Sequence, residues 1–467
     1  MTPDLTTSAR LSPPRPPAPR DALSLPAFLR AVRTNALSIW SQAAYQDDIA
    51  VRSFFGRMNV LVNAPEAIHR VLIENAANYR RSPASIRILR PIAGEGLLLS
   101  EGETWRHQRR IIAPALSPRV MPILARHIVA TTVEHSERLA KQAQKGPVSL
   151  LGVVQDLALE IAGRSLFSLE MHAFGGDIRR LLTEYAHRLA RPRLFDMLLP
   201  PSVPTMRDLQ RRQFQRRWMH LIQTIMSDRL GQPVSDDARD LFDLLHAARD
   251  PDSGERFSAE QLRDQLSTML LAGHETTAIT LFWSLTLLAM DPLEQQRVAE
   301  EVQGVAITPD DATSALPVLV RTRAVINETL RLYPPAFAIV REAIGPDRWD
   351  GFELPRHAVV MIAPWVLHRH RRYWHHPDAF DPGRFMPDSP PPPRFAFLPF
   401  GAGPRVCVGA QFALTEAVLV LAMLVQRFAF RLDAPRPVLP VAAVTTQPDH
   451  APMFRVQRRS HEPPLPR

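Results

Sequence analysis

The segment FGAGPRVCVG, from Phe400 to Gly409, constrains the fold more than any other part of the chain. It contains the only cysteine, Cys407, which follows two glycines that permit a tight turn and precedes an apolar helical pattern. The start of a helix offers free N–H groups and a partial positive charge, which stabilise a thiolate. A free cysteine is ordinarily a small buried hydrophobic residue. Here the glycines, Arg405 and the following helix together favour a thiolate site.

The composition excludes several classes of protein. A single cysteine excludes a disulfide framework, and 45% hydrophobic residues in 467 exclude global disorder. No stretch approaches the roughly 18 to 20 apolar residues that a membrane span needs. The longest apolar run, 417–425, predicts a buried helix, and the N-terminus lacks a signal-peptide core. We therefore predict a soluble cytoplasmic protein without a membrane span.

The charge pattern is basic but dispersed. Lysine and arginine number 56 against 47 acidic residues, which gives a net charge of +9. Such a balance suits nucleic acid, an anionic membrane or an acidic protein partner. The basic residues form no contiguous stripe, so we exclude nucleic-acid binding. The densest cluster, from Arg207 to Arg217, is predicted to be a solvated helix face.

The chain is predicted to be mainly α with a small β portion and to form a single large domain over residues 26–459. Residues 1–25 are proline-rich and are expected to be a flexible tail, as are residues 460–467. A strand hairpin is predicted over 49–63 around Gly56, and a second β-like stretch over 349–367. Most of 64–335 has helical periodicity, and a helix is expected from Gly409 to about Phe428.

One helix is predicted to cross the core. Ser258 and Gln261 form a capping box, and the helical pattern continues to Met290 before Pro292. Near its middle, residues 272–277 read AGHETT, in which glycine, threonine and a carboxylate all disfavour a buried helix. Two interpretations remain open from this segment: a local opening of the helix at a site, or a packing kink beside an exposed Glu275. His274 is expected on the helix surface.

A second motif lies in the helix that precedes Pro334. Glu328 and Arg331 are three residues apart and therefore share one helix face. By itself, such a pair is usually a surface ion pair worth less than about 1 kcal/mol.

Taken together, these motifs make the chain resemble the cytochrome P-450 family of haem-thiolate proteins. Five family motifs occur in the family's order over about 310 residues. The matching residues are Phe400, Gly403, Arg405, Cys407 and Gly409 in F-x-x-G-x-R-x-C-x-G; Glu328 and Arg331 in E-x-x-R; Ala272 to Thr277 in A-G-x-E-T-T; Phe380, Pro382, Arg384 and Phe385 in F-x-P-x-R-F; and Trp105 and Arg109 in W-x-x-x-R.

The resemblance implies a haem b between the long central helix and the cysteine-loop helix, with O₂ as co-substrate and Cys407 as the ligand of the iron. A thiolate ligand favours cleavage of the O–O bond. The haem propionates would be bound by Arg109, Arg341, Arg405 and the indole of Trp105. Further haem contacts are implied for Phe400, Gly401, Gly409, Ala272 and Gly273, and structural support of the loop for Glu328, Arg331 and Arg384.

The resemblance also implies catalytic roles on the distal side of the haem. Thr276 would hold water and bound oxygen, and Glu275 would relay protons. The expected reaction inserts one oxygen atom of O₂ into a hydrophobic substrate, with a fatty acid or terpenoid preferred. The pocket would be lined by Ile86, Ile88, Leu89, Ala272, Ala336, Phe337 and Ala338.

Electrons would come from a separate ferredoxin or flavodoxin and its NAD(P)H-dependent reductase, because no redox module is present in the sequence. Arg106 and Arg110 are either part of the docking face or ordinary solvated arginines. Two other functions remain possible at this stage: a peroxygenase or isomerase of the same fold that does not use O₂, and a non-catalytic haem-binding module. The pair of Glu275 and Thr276 argues against the first of these.

Overall fold

A computed structural model describes residues 10–54, 56–169, 171, 174–199, 202–231, 238–442 and 444–459. The helices are α1 (Leu25–Thr34), α2 (Pro65–His69), α3 (Pro83–Ala93), α4 (Gly102–Ala115), α5 (Met121–Ala143), α6 (Leu150–Phe167), α7 (Gly175–Glu184), α8 (Leu194–Leu198), α9 (Met206–Leu230), α10 (Leu241–Ala247), α11 (Ala259–Met290), α12 (Pro292–Val302), α13 (Val320–Leu332), α14 (Pro364–Leu367) and α15 (Ala410–Arg427). The strands are β1 (Ile49–Phe54), β2 (Arg57–Val62), β3 (Tyr79–Arg81), β4 (Ile339–Ala343), β5 (Asp347–Trp349), β6 (Phe352–Leu354), β7 (Val359–Ile362), β8 (Phe428–Asp433), β9 (Pro440–Ala442), β10 (Thr446–Pro448) and β11 (Met453–Arg458). The prediction of a mainly α chain with a small β portion is confirmed.

Helix α11 forms the centre of the molecule. Its start is fixed by the predicted capping box: the Ser258 hydroxyl accepts the Gln261 N–H at 3.2 Å, and the Gln261 side chain accepts the Ser258 N–H at 2.9 Å. The helix ends before Pro292, where α12 leaves at an angle of 113°. It packs against α3, α6, α9, α13 and α15. Because neighbours surround it, most of its second half is buried and apolar.

The main sheet has the order β1-β2-β7-β4-β3. The predicted hairpin of β1 and β2 is confirmed, with Gly56 in the left-handed region at its turn. Strand β7 joins β2 in parallel and β4 antiparallel, and β4 pairs with β3 so that Arg341 lies opposite Arg81. The second predicted β stretch ends at Ile362. Its continuation to residue 367 is wrong, because Pro364 begins the short helix α14.

Helix α15 is the one helix of the described residues that is long and apolar enough to cross a membrane. Its residues 417–425 are all buried in the core, as the sequence predicted. The bent pair α11–α12 passes the same test only when taken together.

The prediction of a solvated face from Arg207 to Arg217 is wrong for two members. The Arg207 side chain is only 12% exposed. Arg211 is only 2% exposed and bonds to Asp196, its Nη1 lying 2.6 Å from Oδ1. Arg212, Arg216 and Arg217 are exposed as expected.

Candidate functional site

Backbone geometry fixes the loop that carries Cys407. Gly401 and Gly403 both have φ of +73°, a conformation that glycine adopts without strain. A Cβ atom on Gly403 would lie 2.0 Å from the carbonyl oxygen of Leu72, so no larger residue fits without displacing the loop. The Cys407 N–H donates to the carbonyl of Phe400 at 2.9 Å, which closes the loop immediately before α15.

The Cys407 side chain is accessible to solvent. It is nevertheless surrounded by enough protein that burial is the main influence on its thiol, whose pKa is raised. The Gly409 N–H and the positive charge of Arg109 oppose this effect and favour the thiolate. The thiol therefore faces an accessible space inside the protein, and the donors around it suit a negatively charged sulfur ligand.

Arginines from distant parts of the chain lie on one side of this loop. Arg109 on α4 donates to the carbonyl of Val406 at 2.9 Å, and Arg405 donates to the carbonyl of Ser100 at 2.8 Å and contacts Glu101. The guanidinium of Arg405 lies 4.4 Å from the centre of the Trp105 ring. The structure thus brings Trp105, Arg109 and Arg405 to the same loop.

A further arginine, Arg81 on β3, completes the cluster and was missed in the sequence. Burial, followed by repulsion from Arg341 and Arg405, lowers the pKa of Arg81 to about 9. Burial and the charge of Arg405 lower the pKa of Arg341 to about 10. Among the described residues, the Nε of Arg81 has no hydrogen-bond partner. The only sequence signal is the Arg80-Arg81 pair before Pro83, and it does not reveal that β3 pairs with β4.

This arrangement fits an anionic cofactor. Like charges directly opposite each other in a sheet are destabilising, as Arg81 and Arg341 are here. Glu101 is the carboxylate that offsets the positive charges of Arg81 and Arg341, and it is already bound by Arg405. Buried cations need anionic partners. The residues present therefore fit a group with a metal for the Cys407 sulfur and two carboxylates for the arginines, as in haem.

The centre of α11 presents the AGHETT segment. The Thr276 hydroxyl donates to the Ala272 carbonyl at 2.7 Å. Apart from the adjacent residues and the backbone of α11 itself, no atom of the described residues lies within 4 Å of the place where a Gly273 Cβ would be. Ala272 is exposed and Gly273, Glu275 and Thr276 are half-buried, whereas residues 277–280 are buried. The helix is continuous from Ala259 to Met290, so the predicted local opening is not a break in α11. The open space beside α11 comes instead from the small residues Ala272 and Gly273 on one face of the helix.

Glu275 is not the exposed residue that the alternative interpretation required. Its Oε1 accepts hydrogen bonds from the Thr445 hydroxyl at 2.9 Å and from the Gln447 amide at 2.6 Å. Burial raises the pKa of Glu275, and these two hydrogen bonds oppose the shift. Thr445 and Gln447 lie 170 or more residues away in sequence and carry no motif, so nothing in the sequence points to them.

The prediction that His274 lies on the helix surface is wrong. Its side chain is only 6% exposed, and burial lowers the pKa of its imidazole to about 4. It is therefore a neutral core residue. The surface prediction failed because α6 covers this face of α11.

Glu328 and Arg331 form a fully buried ion pair, not the surface pair that their spacing alone suggests. The guanidinium makes two hydrogen bonds of 2.7 Å to the carboxylate. It also donates to the carbonyls of His368, Pro377 and Ala379. Arg384 lies 3.5 Å from Glu328, so the structure brings the three predicted residues together.

The expected pocket residues lie on two elements beside α11. Ile86, Ile88 and Leu89 are on α3, with Ile88 buried in the core. The Thr268 hydroxyl donates to the Ala93 carbonyl at 3.0 Å and so holds α3 against α11 one turn before Ala272. Ala336 is exposed, and Phe337 and Ala338 pack against the main core at the start of β4.

Comparisons with known proteins agree with this geometry. The family model "Cytochrome P450" matches residues 36–451. The chain is 31% identical to the Protein LUTEIN DEFICIENT 5, chloroplastic, of Arabidopsis thaliana over 83% of this chain and 67% of that protein. It is 31% identical to a cyclooctatin synthase of Streptomyces melanosporofaciens, over 79% of each chain, and to a cytokinin hydroxylase of Arabidopsis thaliana, over 76% of this chain and 70% of that one.

The model match covers most of the chain, and it includes the cysteine loop, α11 and the buried Glu328–Arg331 pair. The resemblance that the motifs predicted is confirmed. The chain belongs to the cytochrome P450 family of haem-dependent monooxygenases.

Proposed function

We propose that Cys407 would bind the iron of haem b through its sulfur, and that the enzyme inserts one oxygen atom of O₂ into a hydrophobic organic substrate. The observation that carries this proposal is the accessible Cys407 thiol in a loop that Gly403 and Arg109 hold, next to three mutually repelling arginines, Arg81, Arg341 and Arg405. When bound, the haem supplies the activation of O₂ and the insertion chemistry. The family membership and the hydroxylase among the relatives support this reaction class.

The protein residues would hold the haem and set its charge environment. Arg109, Arg341 and Arg405 would bind the propionates, together with Arg81, which the structure adds to this set. The Trp105 N–H would be a further hydrogen-bond donor. Phe400, Gly401 and Gly409 would surround the sulfur, and Ala272 and Gly273 would leave room on the other face. The cluster of Glu328, Arg331 and Arg384 would act structurally, because its hydrogen bonds go to backbone carbonyls and not toward Cys407.

Thr276 and Glu275 would together transfer protons to the site. The Thr276 hydroxyl donates its proton to the Ala272 carbonyl and keeps its lone pairs to accept a hydrogen bond from a water. Glu275, with its pKa raised by burial, can hold a proton closer to neutral pH than an ordinary carboxylic acid. A proton would pass from Glu275 Oε to water at the Thr276 hydroxyl.

The substrate is proposed to be a fatty acid or terpenoid-like molecule, because the side chains expected at the pocket on α3 and before β4 are apolar. Electrons are proposed to come from a ferredoxin or flavodoxin with its NAD(P)H-dependent reductase in the cytoplasm. The net charge of +9 suits an acidic partner. Arg106 and Arg110 already pair with Glu103 and Asp250, so they are weak candidates for the docking face.

The carbon monoxide difference spectrum of the reduced protein tests the ligand assignment. We expect the red-shifted Soret band of thiolate ligation, and its loss in Cys407→Ser with the helical content retained. A Soret band at the position of histidine-ligated haem, or an unchanged spectrum in Cys407→Ser, would refute the assignment.

Thr276→Ala tests the proton pathway. We expect the variant to release more hydrogen peroxide per NAD(P)H consumed, because the hydroxyl that orients the water is gone. Thr276→Ser keeps that hydroxyl and is the matched control. Equal coupling in wild type and Thr276→Ala would assign the role to another group.

A further inference from the structure

A groove of about 790 Å³ on the outside of the molecule is lined by six arginines. They come from α1 and from the region between α7 and the start of α9, and no acidic residue is among the described residues that line the groove. The arginines are Arg30, Arg33, Arg188, Arg191, Arg193 and Arg207. The net charge of +9 is therefore unevenly distributed, contrary to the dispersed pattern that the sequence suggested.

The charges in this groove, which we call the arginine groove, are poorly compensated. Arg207 donates to the carbonyls of Arg188 and Arg191 and lies 4.0 Å from Asp196, whose carboxylate is already bound by Arg211. Among the described residues, the other five lining arginines form no ion pair within 4.0 Å. Burial and the neighbouring charges of Arg193, Arg211 and Arg33 lower the pKa of Arg207, in agreement with this crowding of like charge. A surface of this kind favours a polyanionic partner.

Apolar side chains are exposed beside the arginine groove. Phe195 is 61% exposed. Met206 and Leu209, which are 82% and 57% exposed, directly precede the lining residues Arg207 and Gln210 on α9. Phe195 also lines an adjoining groove with Leu29 and Val32, and this groove shares Arg33 and Arg193 with the arginine groove. Single exposed apolar residues are ordinary, but a group of them next to unpaired cations indicates an interaction site.

This surface is connected to the element expected to line the substrate pocket. Arg87 on α3 donates to the carbonyls of Phe195 and Val203 at 3.2 and 2.6 Å. The helix that carries Ile86 and Leu89 is thus joined by hydrogen bonds to the segment that exposes Phe195. A hydrophobic molecule held at this surface would be close to α3.

From these contacts we propose that the arginine groove and its exposed apolar rim dock the enzyme on the surface of an anionic lipid bilayer. The guanidinium groups bind lipid phosphates, and Phe195, Met206 and Leu209 enter the boundary between headgroups and acyl chains. Cationic and apolar side chains on one surface are the combination that binds membranes peripherally. A soluble polyanion would use the arginines but would leave the apolar rim in water.

The test is co-sedimentation of the haem-loaded full chain with vesicles of phosphatidylcholine alone and of phosphatidylcholine with phosphatidylglycerol. We expect binding to the anionic vesicles only, weakening as salt screens the charges. Arg30→Glu/Arg33→Glu/Arg191→Glu should lower the partition coefficient at least about tenfold. The matched control, Arg256→Glu/Arg348→Glu/Arg431→Glu, makes the same change of charge at exposed arginines outside the groove and should lower it far less.

Two further measurements separate the possible occupants. Phe195→Ser/Met206→Ser should weaken vesicle binding while the carbon monoxide spectrum stays intact, and unchanged binding would overturn the bilayer as occupant. Inorganic pyrophosphate, titrated by calorimetry, tests for a soluble polyanion, and binding of it without vesicle binding would also overturn the proposal. So would an equal loss of vesicle binding in the groove variant and its control.

Discussion

Glu416 on α15 is a buried carboxyl group that no motif of the sequence analysis included. Its side chain is 2% exposed, and one carboxyl oxygen has no hydrogen-bond partner in the part of the chain that the structure describes. Burial raises the pKa of Glu416 to about 8, and the Thr277 hydroxyl opposes this shift. It therefore stays protonated in the folded protein at neutral pH. Sequence could not reveal this, because the burial of Glu416 depends on α11 packing against α15.

The raised pKa of Glu416 makes stability depend on pH. Below about pH 4.5 both folded and unfolded chains hold this proton, so nothing is lost. Between about pH 4.5 and pH 8 the unfolded chain releases the Glu416 proton and the folded chain keeps it. The free energy of unfolding therefore falls by up to about 1.4 kcal/mol for each unit that the pH rises. We expect Glu416→Gln to unfold at a higher temperature than wild type at pH 8 and at nearly the same temperature at pH 5.

Glu353→Gln is the control for this prediction, because Glu353 is exposed and its replacement should leave the pH dependence unchanged. If the melting temperatures of wild type and Glu416→Gln changed equally between pH 5 and pH 8, this would contradict a protonated Glu416 in the folded protein.

At the residue scale, motifs identified the candidates on single segments, such as Cys407, Thr276 and Glu328. They missed residues whose importance comes from a partner far along the chain. Arg81 matters because β3 pairs with β4, and Thr445 and Gln447 matter because they contact Glu275. The burial of a side chain such as His274 could not be predicted from the sequence either, because it depends on which face of the helix a neighbouring helix covers.

At the element scale, local chemistry predicted boundaries well where caps and prolines set them. The limits of α11 follow from Ser258, Gln261 and Pro292, and α15 begins directly after Gly409. The error at 363–367 has a local cause as well, since apolar residues after a strand fit a short helix that begins at proline as readily as they fit further strand.

Arg331 is the residue that connects several elements. It joins α13 to His368, the residue just after α14, and to Pro377 and Ala379, by donating hydrogen bonds to their three carbonyls. Removing one partner of a buried ion pair leaves an uncompensated charge, which costs about 3–5 kcal/mol. We expect Arg331→Met to lower the free energy of unfolding by about that amount, measured by urea denaturation, and to reduce haem retention.

The matched control for Arg331→Met is Arg217→Met. Arg217 pairs with Glu184 at 2.7 Å, but both side chains are partly exposed, so the loss should stay below about 1 kcal/mol. Similar losses for the two variants would show that burial of the Glu328–Arg331 pair contributes nothing.

At the scale of the whole molecule, composition indicated a basic globular chain but not where its charges gather. The arginines of the groove belong to two regions more than 150 residues apart, so no window of the sequence contains them together. The proposed division into a tail of 1–25, a domain of 26–459 and a tail of 460–467 rests on composition in the same way. The last of these segments lies outside the described residues.

The described part of the first segment makes contacts that bear on the boundary at residue 26. Arg15 bonds to Asp378 at 2.9 Å, and the carbonyls of Leu11 and Pro19 accept the N–H groups of Phe380 and Gln42 at 2.8 Å. Pro13 and Pro16 are buried. The contacts to Asp378 and Phe380 connect the segment to the residues next to Pro377 and Ala379, whose carbonyls Arg331 binds.

We therefore expect a chain that starts at Pro26 to be less stable than one that starts at Arg10. The loss should be about 1–3 kcal/mol, because it combines the burial of two prolines with a partly exposed ion pair. Arg15→Ala in the longer chain is the control, and it should account for less than about 1 kcal/mol. Urea unfolding of the three proteins measures this. Equal stability of the two truncated chains would place the boundary at residue 26, because residues 10–25 would then contribute nothing to the folded domain.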